Sequence, residues 1–385
     1  MEVTSVPLDD TAQLSEVALE AGRAFDAGGL VVFPTETVYG IGASAASDKG
    51  FAALLEVKGR EQTQPFTLHI PDPQSAGRYV DVSNPRVRRL IEKLFPGAVT
   101  LVVEVPEDVI FDRLTKLSRE LNVDAKVLGS RLYHNSTIGL RCPDHPMAQR
   151  LLGATRAPVV ASSANKRGQL PPLDVEAAAT AVGESAELVV DGGRCRYAKP
   201  STIIRIKPTS SGPAIIVERE GVYDERTIRR MLRYTMLIVC SGNTCRSPMA
   251  EVIAKQIIAA ERSLGMEDLE SAGVRILSAG AFTTSGMPAA REAIEAMSKL
   301  NIDLSKHRSR VLNNELIREA DVIYCMTESH LEAVLEMDPS AKTKAMLLDP
   351  NGDVDDPIGG SLTVYQRCAE LIRRRLEMRI KDEQP

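Results

Sequence analysis

The sequence has 385 residues, 43% of them hydrophobic and 26% charged, with a formal net charge of −5. This composition is typical of globular proteins, so it speaks against a disordered or fibrous chain, and the acidic balance speaks against a broad basic surface for nucleic acid. The length predicts two domains.

Apolar runs alternate with amphipathic stretches over residues 1–223. Apolar residues at helical spacing predict a helix over 11–27 and another over 86–95. The strands predicted in this unit lie at 30–34, 100–105, 158–164, 188–190, 201–206 and 215–221, with a turn at 207–213. This unit is therefore expected to have an α/β fold.

A charged connecting helix is predicted at 224–234, and a second unit follows it at 235–385. In that unit strands are predicted at 236–240, 274–280 and 321–327, and helices at 248–263, 288–300 and from about residue 363. Because strands and helices alternate, we expect a doubly wound parallel sheet covered by helices on both faces.

Targeting and redox signals are weak in this chain. No uninterrupted apolar run approaches the ~18 residues that span a bilayer, and the N-terminal segment is acidic, so we expect a cytoplasmic protein without a membrane partner. The cysteines are too scattered for a disulfide framework or a cysteine metal site, and no metal ligands are predicted. They are Cys142, Cys195, Cys240, Cys245, Cys325 and Cys368.

The run CSGNTCRSP at 240–248 follows a predicted strand and begins a predicted helix. The residues between Cys240 and Arg246 can curl so that backbone N–H groups point at one tetrahedral oxyanion at the helix N-terminus. The same field is expected to lower the pKa of Cys240 and make it a thiolate nucleophile, while Arg246 donates to phosphoryl oxygens. Gly242 allows the tight curl, and Ser247 can donate to the thiolate. The motif predicts a phosphate-binding loop with a nucleophilic cysteine.

A cysteine-dependent phosphatase also needs a group that protonates the leaving group and later activates water, and a carboxylate can do both. The candidate is Asp356 in DVDDPIGGS, where the following proline restricts the loop. Asp353 and Asp355 stay open as alternatives, because the sequence does not show which carboxylate points inward.

From about residue 235 onward, CSGNTCRSPMAE, SAGAFTTSG, ADVIYCMT and DPIGGS follow one another in an order that resembles the low-molecular-weight protein tyrosine phosphatases. The resemblance implies that Cys240 is the nucleophile, Arg246 the phosphate clamp and Asp356 the general acid and base, without a cofactor. It implies a protective, reversible disulfide between Cys240 and Cys245. The further residues that it implies are Ser241, Gly242, Asn243, Thr244, Cys245 and Ser247 as loop support, and Phe282 and Ile358 as pocket walls.

Two positions bear on the substrate of such a phosphatase. Within the family, a threonine at the position of Thr244 marks the members that resemble protein-arginine phosphatases, whereas tyrosine-selective members usually carry a larger aliphatic residue. Thr244 therefore favours phosphoarginine. Ile358 departs from the family pattern, since an aromatic residue usually follows the Asp-Pro pair. The choice between phosphoarginine and phosphotyrosine stays open at this point.

The first unit has neither a Walker loop nor a G-x-G-x-x-G fingerprint. Three polar segments, PTETVYGIG, KGR and SAN, are present instead. Lys58 and Arg60 lie at i and i+2, and in extended backbone they would project to one side and meet the same polyphosphate. Ser163 and Asn165 repeat this spacing with neutral hydrogen-bonding groups.

The order PTETVYGIG, KGR, PFTLHI, FPGAVTLVV, TIGLRCP, SSAN, DGG and KPSTII over residues 34–204 resembles the YrdC-like family of threonylcarbamoyl-AMP synthases. The resemblance implies a twisted open α/β sheet and the conversion of L-threonine, bicarbonate and ATP, with Mg2+, to threonylcarbamoyl-AMP and diphosphate. The product would pass to the machinery that makes threonylcarbamoyladenosine on tRNA. The residues implied to hold threonine are Thr35, His69, Arg141 and Ser201, and those implied to face ATP and bicarbonate are Lys58, Arg60, Thr137, Ser163, Asn165 and Arg219.

Several positions depart from this second family pattern. Phe95 and Ala98 stand where tryptophan and a second proline are common, Lys166 follows SSAN in place of a small residue, and the basic stretch 106–136 is longer than usual. That stretch forms either a lid or a solvated face, and we expect the latter.

The expected function is a fusion of two enzymes acting on ATP, L-threonine and bicarbonate and on a phosphoprotein. One alternative makes the first unit a non-catalytic nucleotide- or RNA-binding module, with at most weak contact with tRNA or double-stranded RNA. Another makes the second unit a tyrosine phosphatase, or a module that only senses phosphate. Two sets of residues favour the fusion. The first unit retains Lys58, Arg60, Ser163 and Asn165, and the second has the complete set of Cys240, Arg246 and Asp356.

Overall fold

The computed structural model describes residues 3–5, 10–59, 65–207 and 214–383. The chain divides into two compact units between Met231 and Leu232. None of the helices in these ranges combines the length and apolar character that a membrane span requires.

The strands of the first unit form a ten-stranded sheet within the described residues, in the order β1-β8-β2-β3-β7-β4-β6-β5-β9-β10. These strands are β1 Val3–Ser5, β2 Val31–Phe33, β3 Gly40–Ser44, β4 Thr67–His69, β5 Val99–Glu104, β6 Thr137–Arg141, β7 Val159–Ser163, β8 Leu188–Asp191, β9 Thr202–Lys207 and β10 Ala214–Arg219. Parallel and antiparallel pairs are mixed. The open α/β sheet expected for this unit is confirmed.

The helices of this part of the chain are α1 Thr11–Asp26, α2 Asp48–Lys58, α3 Pro85–Leu94, α4 Glu107–Leu121, α5 Ala125–Leu132, α6 Pro146–Gly153, α7 Val175–Val182 and α8 Glu225–Leu232. Helix α1 begins because the Asp10 carboxylate accepts the backbone N–H groups of Ala12 and Gln13. It buries Leu14, Val17 and Phe25 against α6 and the sheet. A Cβ atom on Gly22 would lie 2.6 Å from the Ala154 oxygen, so glycine permits this close approach.

The second unit contains a four-stranded parallel sheet within the described residues, in the order β12-β11-β13-β14. Its strands are β11 Tyr234–Cys240, β12 Val274–Gly280, β13 Val322–Cys325 and β14 Ala345–Leu347. Its helices are α9 Arg246–Arg262, α10 Arg291–Ser298, α11 Asn314–Glu319, α12 Glu328–Met337 and α13 Leu362–Glu383.

Side chains of β11 alternate between two hydrophobic clusters, as the pleat of a strand requires. Met236 and Ile238 pack with α9, α10 and α13, while Leu237 and Val239 pack with α11 and α12. Helices therefore cover both faces, and the doubly wound parallel sheet is confirmed. Strand β11, the first of this unit, lies between β12 and β13. Its carboxyl end is therefore at the switch point of the strand order, where such sheets bind ligands.

Several predicted elements differ from the observed ones. Strands β3 and β6 were not predicted, because glycines interrupt their apolar patterns. The predicted helix at 288–300 begins at Arg291, because Ala290 has a non-helical ψ of 144°, and its N–H donates to the Thr244 oxygen at 2.9 Å. The stretch 106–136 contains α4 and α5, and Arg131 is not solvated as expected, because it donates to the Ala45 oxygen at 2.9 Å. The turn predicted at 207–213 lies almost wholly outside the described residues.

Candidate active sites

The loop at 241–245 connects the end of β11 to the start of α9 in the second unit. Asn243 adopts a left-handed conformation with φ 49° and is fully buried. Its amide nitrogen donates to the Ser247 and Ser278 hydroxyls, both at 2.9 Å, and its side-chain oxygen accepts the Arg310 backbone N–H at 2.8 Å. These bonds fix a conformation that asparagine tolerates better than most residues.

Cys240 is buried at the base of this loop, with 2% of its surface exposed. Its Sγ lies 2.8 Å from the Ser247 hydroxyl and accepts the Asn243 N–H at 3.3 Å. The lowered pKa predicted from the sequence is wrong for this state of the site. Burial raises the pKa of the Cys240 thiol and outweighs the bonds from Ser247 and Asn243 and the charge of Arg246.

Arg246 connects the loop to a distant carboxylate. Its Nη1 donates to the Val354 oxygen at 2.9 Å, and its Nη2 lies 3.4 Å from the Ser241 hydroxyl and forms an ion pair with Asp356. Asp353 instead accepts the Glu328 backbone N–H at 2.8 Å and caps α12. Of the two, Asp356 is the carboxylate that lies at the loop.

His330 is a residue of this site that the sequence analysis missed. Its Nε2 lies 2.8 Å from the Ser241 hydroxyl and its Nδ1 lies 2.7 Å from the Thr327 hydroxyl. Burial and the charge of Arg246 lower the pKa of His330 to about 4, so the imidazole is neutral at pH 7. A histidine early in the helix that follows ADVIYCMT was the available signal.

Cys245, the second cysteine of the loop, contacts a residue of α13. Cys245 lies with its Sγ 3.3 Å from the Tyr365 hydroxyl. All six cysteines, each in the described part of the chain, are free and buried. The Cys240–Cys245 disulfide is therefore not formed here and stays a prediction. A Cβ atom on Gly280 would lie 2.6 Å from the Ser241 oxygen, so β12 can approach the loop this closely only with glycine.

The two expected pocket walls are strongly exposed. Phe282 has 69% of its surface exposed and Ile358 has 71%. The Phe282 backbone N–H donates to the Ser241 oxygen at 3.0 Å, which places this residue beside the loop. Ile358 lines a cavity together with Thr244. Both residues therefore leave apolar surface next to the loop at 241–245.

In the first unit, Lys58 is the last residue of α2, and Gly59 follows in a left-handed conformation with φ 51°. The expectation that Lys58 and Arg60 project together from extended backbone is wrong at Lys58, because helix geometry fixes its direction. Arg60 lies outside the described residues. Lys58 Nζ is buried and donates to the backbone oxygens of Ser163 at 2.8 Å and Asn165 at 2.5 Å, and to Asn165 Oδ1 at 3.1 Å.

Ser163 and Asn165 are joined to each other as well as to the lysine. The Ser163 hydroxyl donates to Asn165 Oδ1 at 2.5 Å, and Asn165 Nδ2 donates to the Gln169 oxygen at 2.6 Å. Lys58, Ser163 and Asn165 therefore form one cluster at the end of β7.

Arg141 is the centre of a second cluster in the first unit. It ends β6 with 6% of its surface exposed. Its Nη2 lies 3.3 Å from the Thr35 hydroxyl and 3.2 Å from Glu36 Oε1, and also contacts the Thr37 hydroxyl. Arg141 Nε and Glu36 Oε2 are buried, and neither has a hydrogen-bond partner in the part of the chain that the structure describes. Glu36 and Thr37 were missed as site residues, although PTETVYGIG contains both.

His69 lies opposite Arg141 in the register of β4 and β6. Its Nδ1 lies 3.0 Å from the Thr67 oxygen, and its ring packs edge-on against Phe33 at a centroid distance of 6.1 Å. Burial and the charge of Arg141 lower the pKa of His69 to about 3. The imidazole is therefore neutral and can accept or donate a hydrogen bond without adding charge.

Ser201 and Arg219 contact each other at the last two strands of the sheet order, where Ser201 precedes β9 and Arg219 ends β10. Arg219 Nη2 donates to the Ser201 backbone oxygen at 2.7 Å, and the Ser201 hydroxyl lies 2.9 Å from that of Thr100. Partial burial and the charge of Arg141 both lower the pKa of Arg219. The guanidinium groups of Arg141 and Arg219 are thus close enough to repel each other.

Thr137 is bonded to neither cluster within the described residues, but the register of β4 with β6 and β7 places it at the same edge of the sheet as Ser163. It begins β6, at the opposite end from Arg141, and its hydroxyl donates to the His134 oxygen at 2.7 Å. Within the described residues, no group of three or more histidine, cysteine or carboxylate side chains is placed to hold a metal ion.

Two family models match the chain. The Sua5/YciO/YrdC model, which carries the description "Telomere recombination", matches residues 23–221. The model for low molecular weight phosphotyrosine protein phosphatases matches residues 235–382.

Relatives match the same two parts of the chain. A putative threonylcarbamoyl-AMP synthase of Mycobacterium tuberculosis is 33% identical over 223 residues, which cover 58% of this chain and 92% of the relative. A protein-arginine-phosphatase of Bacillus subtilis is 35% identical over 156 residues, covering 38% of this chain and 97% of the relative. A probable low molecular weight protein-tyrosine-phosphatase of Ralstonia nicotianae is 32% identical over 142 residues, covering 36% and 89%. The chain therefore belongs to the Sua5/YciO/YrdC family in its first unit and to the low-molecular-weight phosphatase family in its second.

Proposed function

We propose that this protein is a bifunctional enzyme, an L-threonylcarbamoyladenylate synthase joined to a cysteine-dependent phosphoprotein phosphatase. We place the synthase domain at 1–223, a linking helix at 224–234 and the phosphatase domain at 235–385. ATP, L-threonine and a phosphoprotein are substrates of the cytoplasm, and we propose that location.

The contact of Arg246 with both the Cys240 loop and Asp356 is the observation that carries the phosphatase proposal. In the reaction, the Cys240 thiolate attacks phosphorus, and Asp356 gives its proton to the leaving group as that bond breaks. Asp356 then takes a proton from water, which attacks the phosphocysteine and releases inorganic phosphate and the free thiolate. Protonation of Asp356 before the first step weakens its ion pair and turns the charge of Arg246 towards the thiolate and the phosphoryl oxygens.

Phosphoarginine is the substrate that we propose for this site. Thr244 supports it, because its hydroxyl can accept a hydrogen bond from a guanidinium N–H, which an aliphatic residue cannot. The identity of 35% with a protein-arginine-phosphatase also supports it. Phosphotyrosine is the alternative, and the exposed Ile358 could pack against its ring.

Charge around Arg141 is the observation that carries the synthase proposal. The Arg141 guanidinium pairs with the Glu36 carboxylate, the positive charge of Arg219 lies close enough to interact with that of Arg141, and Arg141 Nε has no hydrogen-bond partner among the described residues. Such a site favours an anion, and the carboxylate of L-threonine satisfies it beside the Thr35 and Ser201 hydroxyls.

Lys58 provides the positive charge at the other cluster, where we place the ATP phosphates with Thr137, Ser163, Asn165 and Arg60. Threonine and bicarbonate give threonine carbamate and water, the carbamate oxygen attacks the α-phosphorus, and diphosphate leaves. Positioning and charge neutralisation are sufficient for this transfer, so no protein nucleophile is required. Since the described residues include no metal cluster, we propose that Mg2+ arrives with the ATP phosphates.

A paired assay on the full-length protein tests both proposals. We expect diphosphate release from ATP that depends on L-threonine and bicarbonate, and its loss in Lys58→Ala plus Arg60→Ala. We expect phosphate release from phosphoarginine and its loss in Cys240→Ser. Each variant is the control for the other, because it must leave the other activity intact. Threonine-independent or absent diphosphate release would instead support a nucleotide- or RNA-binding module.

A further inference from the structure

A cavity of about 400 Å3 lies beside the phosphate-binding loop of the second unit. One wall is Thr244 and Cys245 of the loop, and another is the segment 287–290. Ile358 and the glycines after it form a third wall. The cavity lies within reach of a bound phosphorylated residue, because Thr244 is two residues from Arg246 and Ile358 is two residues from Asp356.

Much of the cavity rim is apolar and faces water. Met287 has 50% of its surface exposed and Ile358 has 71%, and Pro288 lies beside them. Large apolar side chains exposed together at a concave surface usually mark a binding site. This rim fits the aliphatic stem of a side chain.

Glu292 adds a negative charge to the same cavity. It lies in the first turn of α10 and is half-buried. Among the described residues its carboxylate forms neither an ion pair nor a hydrogen bond, whereas Glu295, one turn later, pairs with Arg291 at 3.1 Å. Tyr365 lines the same cavity. Burial raises the pKa of the Tyr365 phenol, and its hydrogen bond with Cys245 and the nearby charge of Glu292 raise it further.

A carboxylate without a partner, next to an apolar wall, is complementary to a side chain that has a long aliphatic stem and a positive end. We propose that this cavity is a specificity subsite for a lysine or arginine that flanks the phosphorylated residue of a protein substrate. The inference rests on the proposed phosphatase function and adds a recognition site to it.

The test compares phosphoarginine peptides that differ in one flanking residue, with lysine, norleucine or glutamate placed before or after the phosphoarginine. Norleucine keeps the stem and removes the charge. With the full-length protein we expect kcat/KM to be about fivefold higher for lysine than for norleucine on one side, and lowest for glutamate. The preference should shrink at high salt, since the pair is partly exposed.

Two variants test whether the preference for lysine depends on Glu292. In Glu292→Gln the ratio between the lysine and norleucine peptides should fall to about one, because the charge is lost while the shape is kept. In the matched control Glu295→Gln the ratio should be unchanged. Equal kcat/KM for lysine and norleucine in the unmodified protein, or a lysine preference that survives Glu292→Gln, would overturn the proposal.

Failure of the proposed phosphatase function can be distinguished from failure of the proposed subsite. If neither p-nitrophenyl phosphate nor any peptide is hydrolysed, the proposed phosphatase function is wrong. Fluorescence anisotropy of the same peptides with Cys240→Ser then still tests the subsite, because binding needs no turnover. Tighter binding of the lysine peptide that is lost on adding Glu292→Gln supports the subsite, and equal binding of all peptides rejects it.

Discussion

The two units build their candidate sites in different ways. In the second unit most of the site is one continuous run, Cys240 to Ser247, held between a strand and a helix. In the first unit the residues come from separate strands, and Arg141 reaches a segment 104–106 residues away in the chain. A continuous site can be predicted residue by residue from local geometry, whereas a dispersed site requires the whole sheet.

The principal ion pairs differ in the same way. Arg141 and Glu36 have 7% and 1% of their side chains exposed, whereas the Asp356 partner of Arg246 has 37% exposed. A buried pair is a permanent part of its site, because either partner alone is a costly charge. A pair with one exposed partner can open, since water solvates the carboxylate that is released. In the phosphatase that we propose, the second unit therefore combines a fixed loop with an acid, Asp356, whose ion pair can open.

The largest expected effect is on kcat for phosphate release, and it tests the role of Asp356 as the acid. Asp356→Asn should lower kcat for phosphate release by roughly 10²–10⁴-fold, because the leaving group loses its proton donor. Asp353→Asn is the matched control, since Asp353 caps α12 and should change kcat little. Steady-state kinetics with phosphoarginine peptides measure both. Equal losses in the two variants would show that the acid is not Asp356.

The next effect concerns the buried pair of the first unit. Arg141→Ala should lower the free energy of unfolding of this unit by about 3–5 kcal/mol, because it leaves the Glu36 carboxylate buried and unpaired. Arg196→Ala removes an exposed pair with Asp144 and should cost less than about 1 kcal/mol. Hydrogen exchange of the β4 and β6 amides gives both values. Similar costs in the two variants would contradict the difference between buried and exposed pairs.

A pH effect of intermediate size is expected from His330 in the second unit. Its pKa of about 4 lies below the usual value near 6.5, so the unfolded chain binds more protons between these values. Stability should therefore fall as the pH falls, by about 2 kcal/mol between about pH 7.5 and 5. Hydrogen exchange of the β11 amides at the two pH values measures this. In His330→Gln the loss of stability between these two pH values should be smaller by about 2 kcal/mol. An unchanged loss would show that His330 is not the group responsible.

The smallest effect concerns substrate choice at the loop. Thr244→Ile should lower the ratio of kcat/KM for phosphoarginine over phosphotyrosine peptides by about tenfold, because a hydroxyl that can accept a guanidinium N–H is lost. Thr283→Val is a control at a nearby hydroxyl that donates to the Gly242 oxygen at 2.9 Å. A ratio unaffected by Thr244→Ile would favour Ile358 and the pocket walls as the determinants of specificity.

Features that depend on neighbouring residues could be predicted from the sequence, whereas features that depend on distant residues could not. The strand 274–280 was predicted with the observed bounds, and the loop from Cys240 to Ser247 surrounds the thiol as expected. The raised pKa of Cys240 could not be predicted, because burial depends on helices far along the chain. Lys58 was placed in extended backbone because KGR was considered without the helix before it. Glu36 and His330 were missed because their partners, Arg141 and Ser241, are distant in sequence.

The sequence separation of the contacts also bears on the order in which the sites form during synthesis. The contacts of Ser247 with Cys240 and Asn243 join near neighbours, so they can form soon after α9 emerges, whereas the bonds that Asn243 makes with Ser278 and Arg310 form later. The Lys58–Asn165 contact closes a loop of 107 residues, and the Arg219–Ser201 contact waits for β10. Strand β9 lies at the interior of the sheet order and receives β10 as its last neighbour. The Arg219–Ser201 contact is thus completed by the strand that is synthesised last in its unit, and a nascent chain released before Arg219 would lack it.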